Sequence, residues 1–598
     1  MNKQSVQKGF AILSVSGVII KFISLLYIPL LLSIIGEVGN GFYQAAAQVF
    51  VFAYVLTNSG TLNAITKMTS EYVARGEKKD GVAQGRLLAN TDALQAFKIS
   101  RLALAAIGGI ITVLMILFAQ PIANAIRFPE IALSIMVIAP SAFITAVVSS
   151  YRGYYQGLNN FKPRAVSQVL EQTVNLVASI ALALLAILVF GNGREGILIA
   201  VAGANAGTTI AALASLVYLV RYAKKNQTLI EVQTTCGPDG PDGAVRSGES
   251  TLRNATLASS RARVVNSADA QRIVLRERKF RAHALRTFFQ YSIPITMAAG
   301  LQYAGSIVDM WNTKSRLLAA GFAPDVATQM FGYLAKYQQL IYVPLIIIIG
   351  LASTILPNLS GAHAIDDAHK FRSSLAYAYR WCFIISIPAA ILMAVLYSQI
   401  YQTIKLGLGA ELLLLGSVVT VLMAITQIQS AVLQGLSKMY LLASFLLAGI
   451  VVKILVNYWL IAIPFFNING AIIGSILCYI IPVCLNEIYI RKQLRKKMTN
   501  PLRILPFVYK PFSSSMVMGF VTFFSYLLFH AAANALLGAT GLGGYFAVAL
   551  PFVLSALLGG VAFIAAMLYM KGFKKIDLEM LPARLRRFVP KKVQNSLR

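Results

Sequence analysis

Apolar runs long enough to cross a hydrocarbon core, about 20 residues, recur along almost the whole chain with short polar stretches between them. They lie near residues 10–35, 41–69, 99–120, 131–151, 164–190 and 196–220. After a long polar insert they resume near 288–318, 328–356, 374–398, 411–434, 440–463, 468–490, 511–537 and 543–570. Lipid offers no water to satisfy backbone N–H and C=O groups, so such runs are predicted to be helices. The pattern therefore predicts an all-α polytopic membrane protein with about fourteen transmembrane helices. Composition agrees: 57% of residues are hydrophobic and 13% charged, against about 25% charged in soluble domains.

Charge then tests the span count. Placing the N-terminus in the cytoplasm puts the basic clusters Arg75 to Lys98, Arg152 to Arg164, Arg221 to Arg286, Arg491 to Lys510 and Lys571 to Arg598 on the inside, leaving Arg127, Arg194 and Lys405 outside. A missed or invented span would invert every later loop, so this positive-inside agreement supports fourteen spans with both termini cytoplasmic. The net charge of +31 does not point to nucleic acid, because the basic residues sit between spans and form no face of a water-soluble domain. Cys236, Cys382, Cys478 and Cys484 show no CxxC pairing, so neither a disulfide framework nor a metal site is expected. The first apolar run continues to about Ile35 without a cleavage-like site and is taken as a span rather than a signal peptide.

Two weak repeats share a common order. GFYQAAAQVFVFAYVLTNSGTLNAIT from Gly41 lines up with FGYLAKYQQLIYVPLIIIIGLASTIL from Phe331, matching Tyr43 to Tyr333, Gln48 to Gln338 and Gly60 to Gly350; the fourth and tenth spans both end in Q-G-L. Spans one to six and seven to twelve thus form two related six-helix lobes, the arrangement used for alternating access around a site near the midplane. The divisions expected are an N-lobe at 1–223, a basic insert at 224–286, a C-lobe at 287–494, two extra helices at 495–570 and a basic tail at 571–598. The insert is too poor in large apolar residues to fold alone and is expected to be disordered. Its last part mixes basic and apolar residues, suiting an interfacial helix on anionic lipid or a solvated linker.

Charges at mid-bilayer cost roughly 2.5 to 3.5 kcal/mol on insertion scales and are functional candidates by default. Lys21 lies about 16 Å into the first span and Lys453 about 15 Å into the eleventh, by a 1.5 Å rise per residue. Both are expected to face a cavity. Ser14, Gly17, Lys21 and Ser24 share one helical face, as do Gln302, Ser306, Asp309, Thr313 and Arg316, and Gly332, Lys336 and Gln339, and Gln168, Glu171, Gln172, Asn175 and Ser179. For the uncharged members, helix-to-helix hydrogen bonding is the competing account. For Lys67, Lys314 and Arg316, near the membrane faces, it is snorkelling. Asp309 could neutralise a lysine, bind a coupling cation or carry a proton. Interior cations outnumber Asp309 and Glu171, which predicts a positive cavity for an anionic cargo; a diphosphate suits it.

Four stretches carry a resemblance: LNAITKMTSEYVARGE at Leu62, YRGYYQGLNNFKPRAVSQVLEQ at Tyr151, SIPITMAAGLQYAGSIVDMWNTKSRL at Ser292, and VLQGLSKMYLLASFLLAGIVVKILVNYWLI at Val432. Outside the insert, the chain resembles the polysaccharide-biosynthesis family that includes stage V sporulation protein B and Gram-positive-type lipid II flippases, within the multidrug/oligosaccharidyl-lipid/polysaccharide exporter (MOP) superfamily. The resemblance implies two six-helix lobes, two further helices shaping a lipid-tail groove, and a cationic cavity for a diphosphate-sugar head. It marks Lys21, Lys67, Asp309, Arg316 and Lys453 as matching family positions; Lys336 and Glu171 join them as cavity candidates. Some relatives bind sodium between spans seven, eleven and twelve through acidic residues, whereas here span eleven presents Lys453 and Asn457.

The function so implied is flipping of an undecaprenyl-diphosphate-linked saccharide, lipid II above all, across a bacterial cytoplasmic membrane. No bound cofactor is expected; Na+, H+ or the membrane potential would drive the cycle. Besides the glycolipid, anionic membrane lipids and cell-wall synthesis enzymes are candidate partners. The alternatives are a flippase for another lipid-linked polysaccharide unit, a multidrug exporter of the same superfamily, a membrane glycosyltransferase, and a non-transporting scaffold. A glycosyltransferase needs catalytic carboxylates or a sizeable outer domain, and the outer loops here are short.

Overall fold

The computed structural model describes residues 3–78, 83–158, 160–235, 267–364, 367–436, 438–497, 505–537 and 543–573. Of the insert expected to be disordered, 236–266 lies outside these residues, as does most of the basic tail; the insert's two ends, up to Thr235 and from Ser267, are helical instead, continuing the flanking spans. The described helices are α1 (Lys3–Tyr54), α2 (Gly60–Lys78), α3 (Ala83–Leu117), α4 (Ala119–Ala125), α5 (Ala132–Ile138), α6 (Pro140–Gly157), α7 (Lys162–Phe190) and α8 (Arg194–Thr235). They continue as α9 (Ser267–Ala319), α10 (Pro324–Ala364), α11 (Ala368–Val395), α12 (Tyr397–Ile404), α13 (Glu411–Gly435), α14 (Met439–Leu460), α15 (Asn469–Lys497), α16 (Leu505–Leu537) and α17 (Gly543–Tyr569). No strand occurs among the described residues.

Twelve stretches are long and apolar enough to cross a membrane among the described residues. One, Val15–Tyr72, has 58 residues, about 87 Å of helix against a core of about 30 Å, and cannot be a single crossing. Gly36, at φ 69° and ψ −178°, breaks it in a conformation open to a residue without Cβ. The chain doubles back there. Tyr27 and Tyr43 would stand about 24 Å apart in a straight helix, yet their ring centroids are 5.9 Å apart. The seventh span lies within α9, whose polar face keeps it out of the twelve. Dividing Val15–Tyr72 and adding α9 is consistent with fourteen crossings. The fourth span is broken into α5 and α6, because Pro140 lacks the N–H that would continue the ladder.

Packing follows the two lobes. One core joins residues 317–494 of the second lobe with Ile28 reaching in from α1. A second fills the half of the first lobe around Leu31, Phe42, Phe128 and Ala200, and takes in Met310 and Phe331 from the other lobe. A third, around Ile65, Phe97, Tyr151 and Leu219, fills its other half and meets Phe288. The last two helices pack on α11 through Ile384, Met518, Phe563 and Met567.

Close backbone approach between the lobes depends on glycine. A Cβ on Gly41 would stand 2.2 Å from the Thr328 carbonyl oxygen, so α1 and α10 touch directly. One on Gly60 would stand 2.0 Å from Thr296 Oγ1, where α2 crosses α9. Between these two contacts lies a polar seam.

Candidate functional site

At the end of the bundle that carries the Gly36 break, ion pairs join the lobes. Lys336 Nζ is 2.7 Å from Glu37 Oε2 and also donates to the Leu406 carbonyl at 2.7 Å, while the Leu408 N–H donates to Glu37 Oε1 at 2.9 Å. Glu37 sits just past the Gly36 break, so that break aims the carboxylate across the seam. Beside it, Lys314 Nζ lies 3.9 Å from Glu130 and 4.1 Å from the centre of the Phe128 ring, and Arg194 lies 3.4 Å from Glu130 and 3.6 Å from Asp325. These contacts hold α1, the α4–α5 turn and α8 of the first lobe against α9, α10 and the 405–408 loop of the second. Lys336 is fully buried, and losing its carboxylate partner would leave a buried charge uncompensated.

At mid-depth Asp309 and Lys453 meet each other. Lys453 Nζ is 2.7 Å from Asp309 Oδ2, Asn457 Nδ2 donates to Oδ1 at 2.9 Å, and Gln338 Nε2 donates to Oδ2 at 2.8 Å. Both charged side chains are buried. The expectation that Lys453 stands as a free ammonium in a cavity is therefore corrected: a carboxylate from α9 neutralises it inside the second lobe. Asp309 has its lone pairs engaged by three donors. Most of the other expected charges also have partners. Glu171 lies 2.5 Å from Arg152 Nη2, and Arg152 also donates to Ser167 at 2.9 Å and to Ser215 at 3.0 Å. Arg316 donates to the Tyr458 carbonyl at 3.0 Å and stacks 4.0 Å from that ring's centre. Lys67 is half-exposed, 4.0 Å from Glu71 and 4.0 Å over the Tyr291 ring. Lys21 lies in α1, but its side chain falls outside the described residues.

Pairing removes most of the cation excess counted along the sequence. Arg164 keeps its charge uncompensated. Its Nη1 donates to Gln156 Oε1 and its buried Nε has no partner; no carboxylate pairs with it among the described residues. The guanidinium lines a cavity of about 400 Å³ between the lobes, walled by Tyr54, Asn58, Asn63 and Gln168 on one side and by Gln302, Tyr303, Tyr342, Thr426 and Gln427 on the other. A second chamber, of about 290 Å³, is lined by Ser24, Gln44, Gln48, Gln172, Asn175 and Gln339. Gln339 Nε2 donates to Gln44 Oε1 across it at 3.2 Å. The larger chamber falls in the range of small-ligand sites, about 300 to 1,000 Å³.

The polar faces predicted for the fifth and seventh spans are thus split by the fold. Gln168, Gln172 and Asn175 face the chambers while Glu171 turns to Arg152; Gln302 faces the larger chamber while Asp309 turns to Lys453. Arg164 was not among the expected site residues. One local signal pointed to it: Pro163 sits at the start of α7, so Arg164 occupies a first helical turn, where the helix dipole disfavours a cation. A basic residue held there calls for a reason outside the helix.

Comparison with known proteins bears on this arrangement. The family described as polysaccharide biosynthesis protein matches residues 6–236. The lipid II flippase MurJ of Bacillus subtilis (strain 168) is 20% identical over 503 residues, covering 81% of this chain and 82% of that protein. Stage V sporulation protein B of the same organism is 31% identical over 230 residues, 38% of this chain and 41% of that protein. Among solved structures, lipid II flippase MurJ in an inward closed conformation superposes with TM-score 0.57 at 12% identity over 93% of this chain and 98% of that one. An inward-facing MATE multidrug resistance transporter of the MOP superfamily superposes with TM-score 0.57 at 14% identity, over 80% of this chain and 95% of that one. Matched by the polysaccharide biosynthesis family along its first lobe and sharing the fold of MurJ and MATE transporters across both, this chain is a multi-pass membrane protein similar in sequence to MurJ and stage V sporulation protein B.

Proposed function

We propose that this protein is a flippase for an undecaprenyl-diphosphate-linked saccharide, with lipid II the first candidate, and not an enzyme. The observation that carries this is Arg164, a guanidinium facing an interlobe cavity with no carboxylate partner among the described residues. In such a low-dielectric setting an uncompensated cation attracts a phosphate oxygen far more strongly than it would in water, and a guanidinium can grip phosphate through two parallel N–H donors. The surrounding Asn, Gln, Thr and Tyr groups suit sugar hydroxyls, which need both donors and acceptors.

Transport follows by alternating access. The three ion pairs that join the lobes at the outer end, Lys336–Glu37, Lys314–Glu130 and Arg194–Asp325, keep that end shut while the cavity takes up the head from the cytoplasmic leaflet; their separation opens the outer side. The lipid tail stays in the bilayer throughout. Membrane potential is the proposed driving force, because one charge moving through 100 mV is worth about 2.3 kcal/mol and Asp309, the acid best placed to bind a coupling cation, already holds Lys453. The proposed setting is the bacterial cytoplasmic membrane with both termini inside, a reading supported by the distribution of Lys and Arg.

A multidrug exporter is the second reading, drawn from the MATE-like fold. An organic cation would need an accessible carboxylate, and the acids expected in the cavity, buried Asp309 and partly buried Glu171, are both engaged by basic side chains. Liposomes containing the purified protein and fluorescent lipid II, other undecaprenyl-diphosphate glycans or cationic dyes test the proposal. Flipping of a diphosphate-linked glycan that Arg164→Glu abolishes is the expected result. Export of cations with no glycan movement would overturn it.

A further inference from the structure

A groove of about 620 Å³ runs along the flank of the first lobe between α7 and α8. Leu170, Ile210, Leu213, Ala214 and Val217 form its apolar walls, and Tyr218, Arg221, Tyr222 and Lys225 form one end. It is separate from the interlobe cavity. Leu170 lies two positions from both Gln168 and Gln172, about 200° around the helix at 100° per residue, so α7 itself stands between them.

We propose that this groove is a binding site for an anionic diacyl phospholipid of the cytoplasmic leaflet, held as a resident lipid and not as cargo. The dimensions and the charges fit one leaflet. Ile210 and Arg221 are eleven residues apart, about 16 Å along the helix, which is half of a core about 30 Å thick. An acyl chain laid against Ile210, Leu213 and Val217 therefore reaches from mid-bilayer to the headgroup level, where Arg221 and Lys225, one turn apart and exposed, meet its phosphate.

The collar at that level is fixed before any lipid arrives. The Tyr218 and Tyr222 rings lie 6.2 Å apart, Tyr222 meets Tyr155 edge-on at 5.3 Å, and Asn160 Nδ2 donates to the Tyr222 hydroxyl at 3.2 Å. Rings so placed suit the bilayer interface, where tyrosine keeps its polar tip at headgroup level and its apolar body against acyl chains. A neutral lipid could fill the apolar walls equally well; the two basic groups add the preference for a net negative head.

Placing the basic end in the cytoplasmic leaflet rests on the topology proposed above, but binding itself can be read without transport. The full chain, delipidated in detergent, is titrated with phosphatidylglycerol or phosphatidylcholine and followed by native mass spectrometry. Wild type should bind one phosphatidylglycerol in preference to phosphatidylcholine. Arg221→Gln and Lys225→Gln should each weaken phosphatidylglycerol about fivefold, the effect of one basic group near an anionic lipid surface, and leave phosphatidylcholine unchanged. Val217→Trp, at a lipid-exposed position, should block the groove without disturbing the core and lower occupancy by either lipid. Equal affinity for the two lipids, or unchanged phosphatidylglycerol retention in all three variants, would overturn the proposal. So would displacement of the bound lipid by a lipid-linked glycan, which would make the groove part of the transport path. Glycan flipping in liposomes is scored separately, so loss of one result does not imply loss of the other.

Discussion

The Asp309–Lys453 pair offers a measurement in which the sequence expectation and the structure predict opposite results. Lys453→Met leaves the Asp309 carboxylate buried in the second lobe with only the neutral donors Asn457 and Gln338. Breaking a buried pair by removing one partner typically costs 3 to 5 kcal/mol. Asp309→Asn strands the ammonium and should cost a similar amount. The double variant Asp309→Leu/Lys453→Met removes both charges and should recover most of the loss, since apolar replacement of a whole buried pair is often neutral or stabilising by about 1 to 4 kcal/mol. Thermal unfolding of the detergent-solubilised chain, followed by tryptophan fluorescence, gives the cycle; a coupling energy of several kcal/mol is expected for groups 2.7 Å apart. Flipping separates the two ideas further. If the pair is structural, the double variant keeps transport once folded; if Lys453 contacts the cargo, the double variant is stable but inactive. A single Lys453→Met variant as stable as wild type would refute the reasoning from geometry.

Three further outcomes follow from the seam. Arg164→Ala should lower diphosphate-glycan flipping at least tenfold while leaving the melting temperature within a few degrees, because removing an unpaired cation strands no carboxylate; Arg164→Lys should restore part of the rate. Glu37→Gln weakens the partner of Lys336 and should favour opening of the outer end, read as faster labelling of Gln339→Cys by an impermeant thiol reagent added outside; unchanged labelling would remove the ion pair from the gate. Gly41→Val places side-chain atoms where the Thr328 carbonyl stands and should have the same effect on labelling, with reduced transport, because the two helices can no longer close.

How much of this was present in the chain before folding depends on the range of each interaction. The helices, the approximate crossings and the two-lobe order came from hydropathy, loop charge and the Tyr43/Tyr333 repeat, all of which are written locally because each span must satisfy its own backbone in lipid. The turn at Gly36 was legible as well, as the gap between the apolar runs at 10–35 and 41–69; the Gly36 dihedrals and the approach of Tyr27 to Tyr43 fix where the chain doubles back. Polar faces were legible too, since helical periodicity puts Gln168, Gln172 and Asn175 on one side whatever the neighbours. Which charges remain free was not. Lys336 and Glu37 are 299 positions apart, and Lys453 and Asp309 are 144 apart, so no local pattern could pair them. Counting cations along the spans therefore overstated the charge of the cavity. Tertiary packing alone decides which ammonium or guanidinium finds a carboxylate within hydrogen-bonding reach, because burial makes an unmatched charge costly and the fold supplies the partner from wherever in the chain it lies. Packing cancelled Lys453 and Lys336 and left Arg164 facing the space between the lobes.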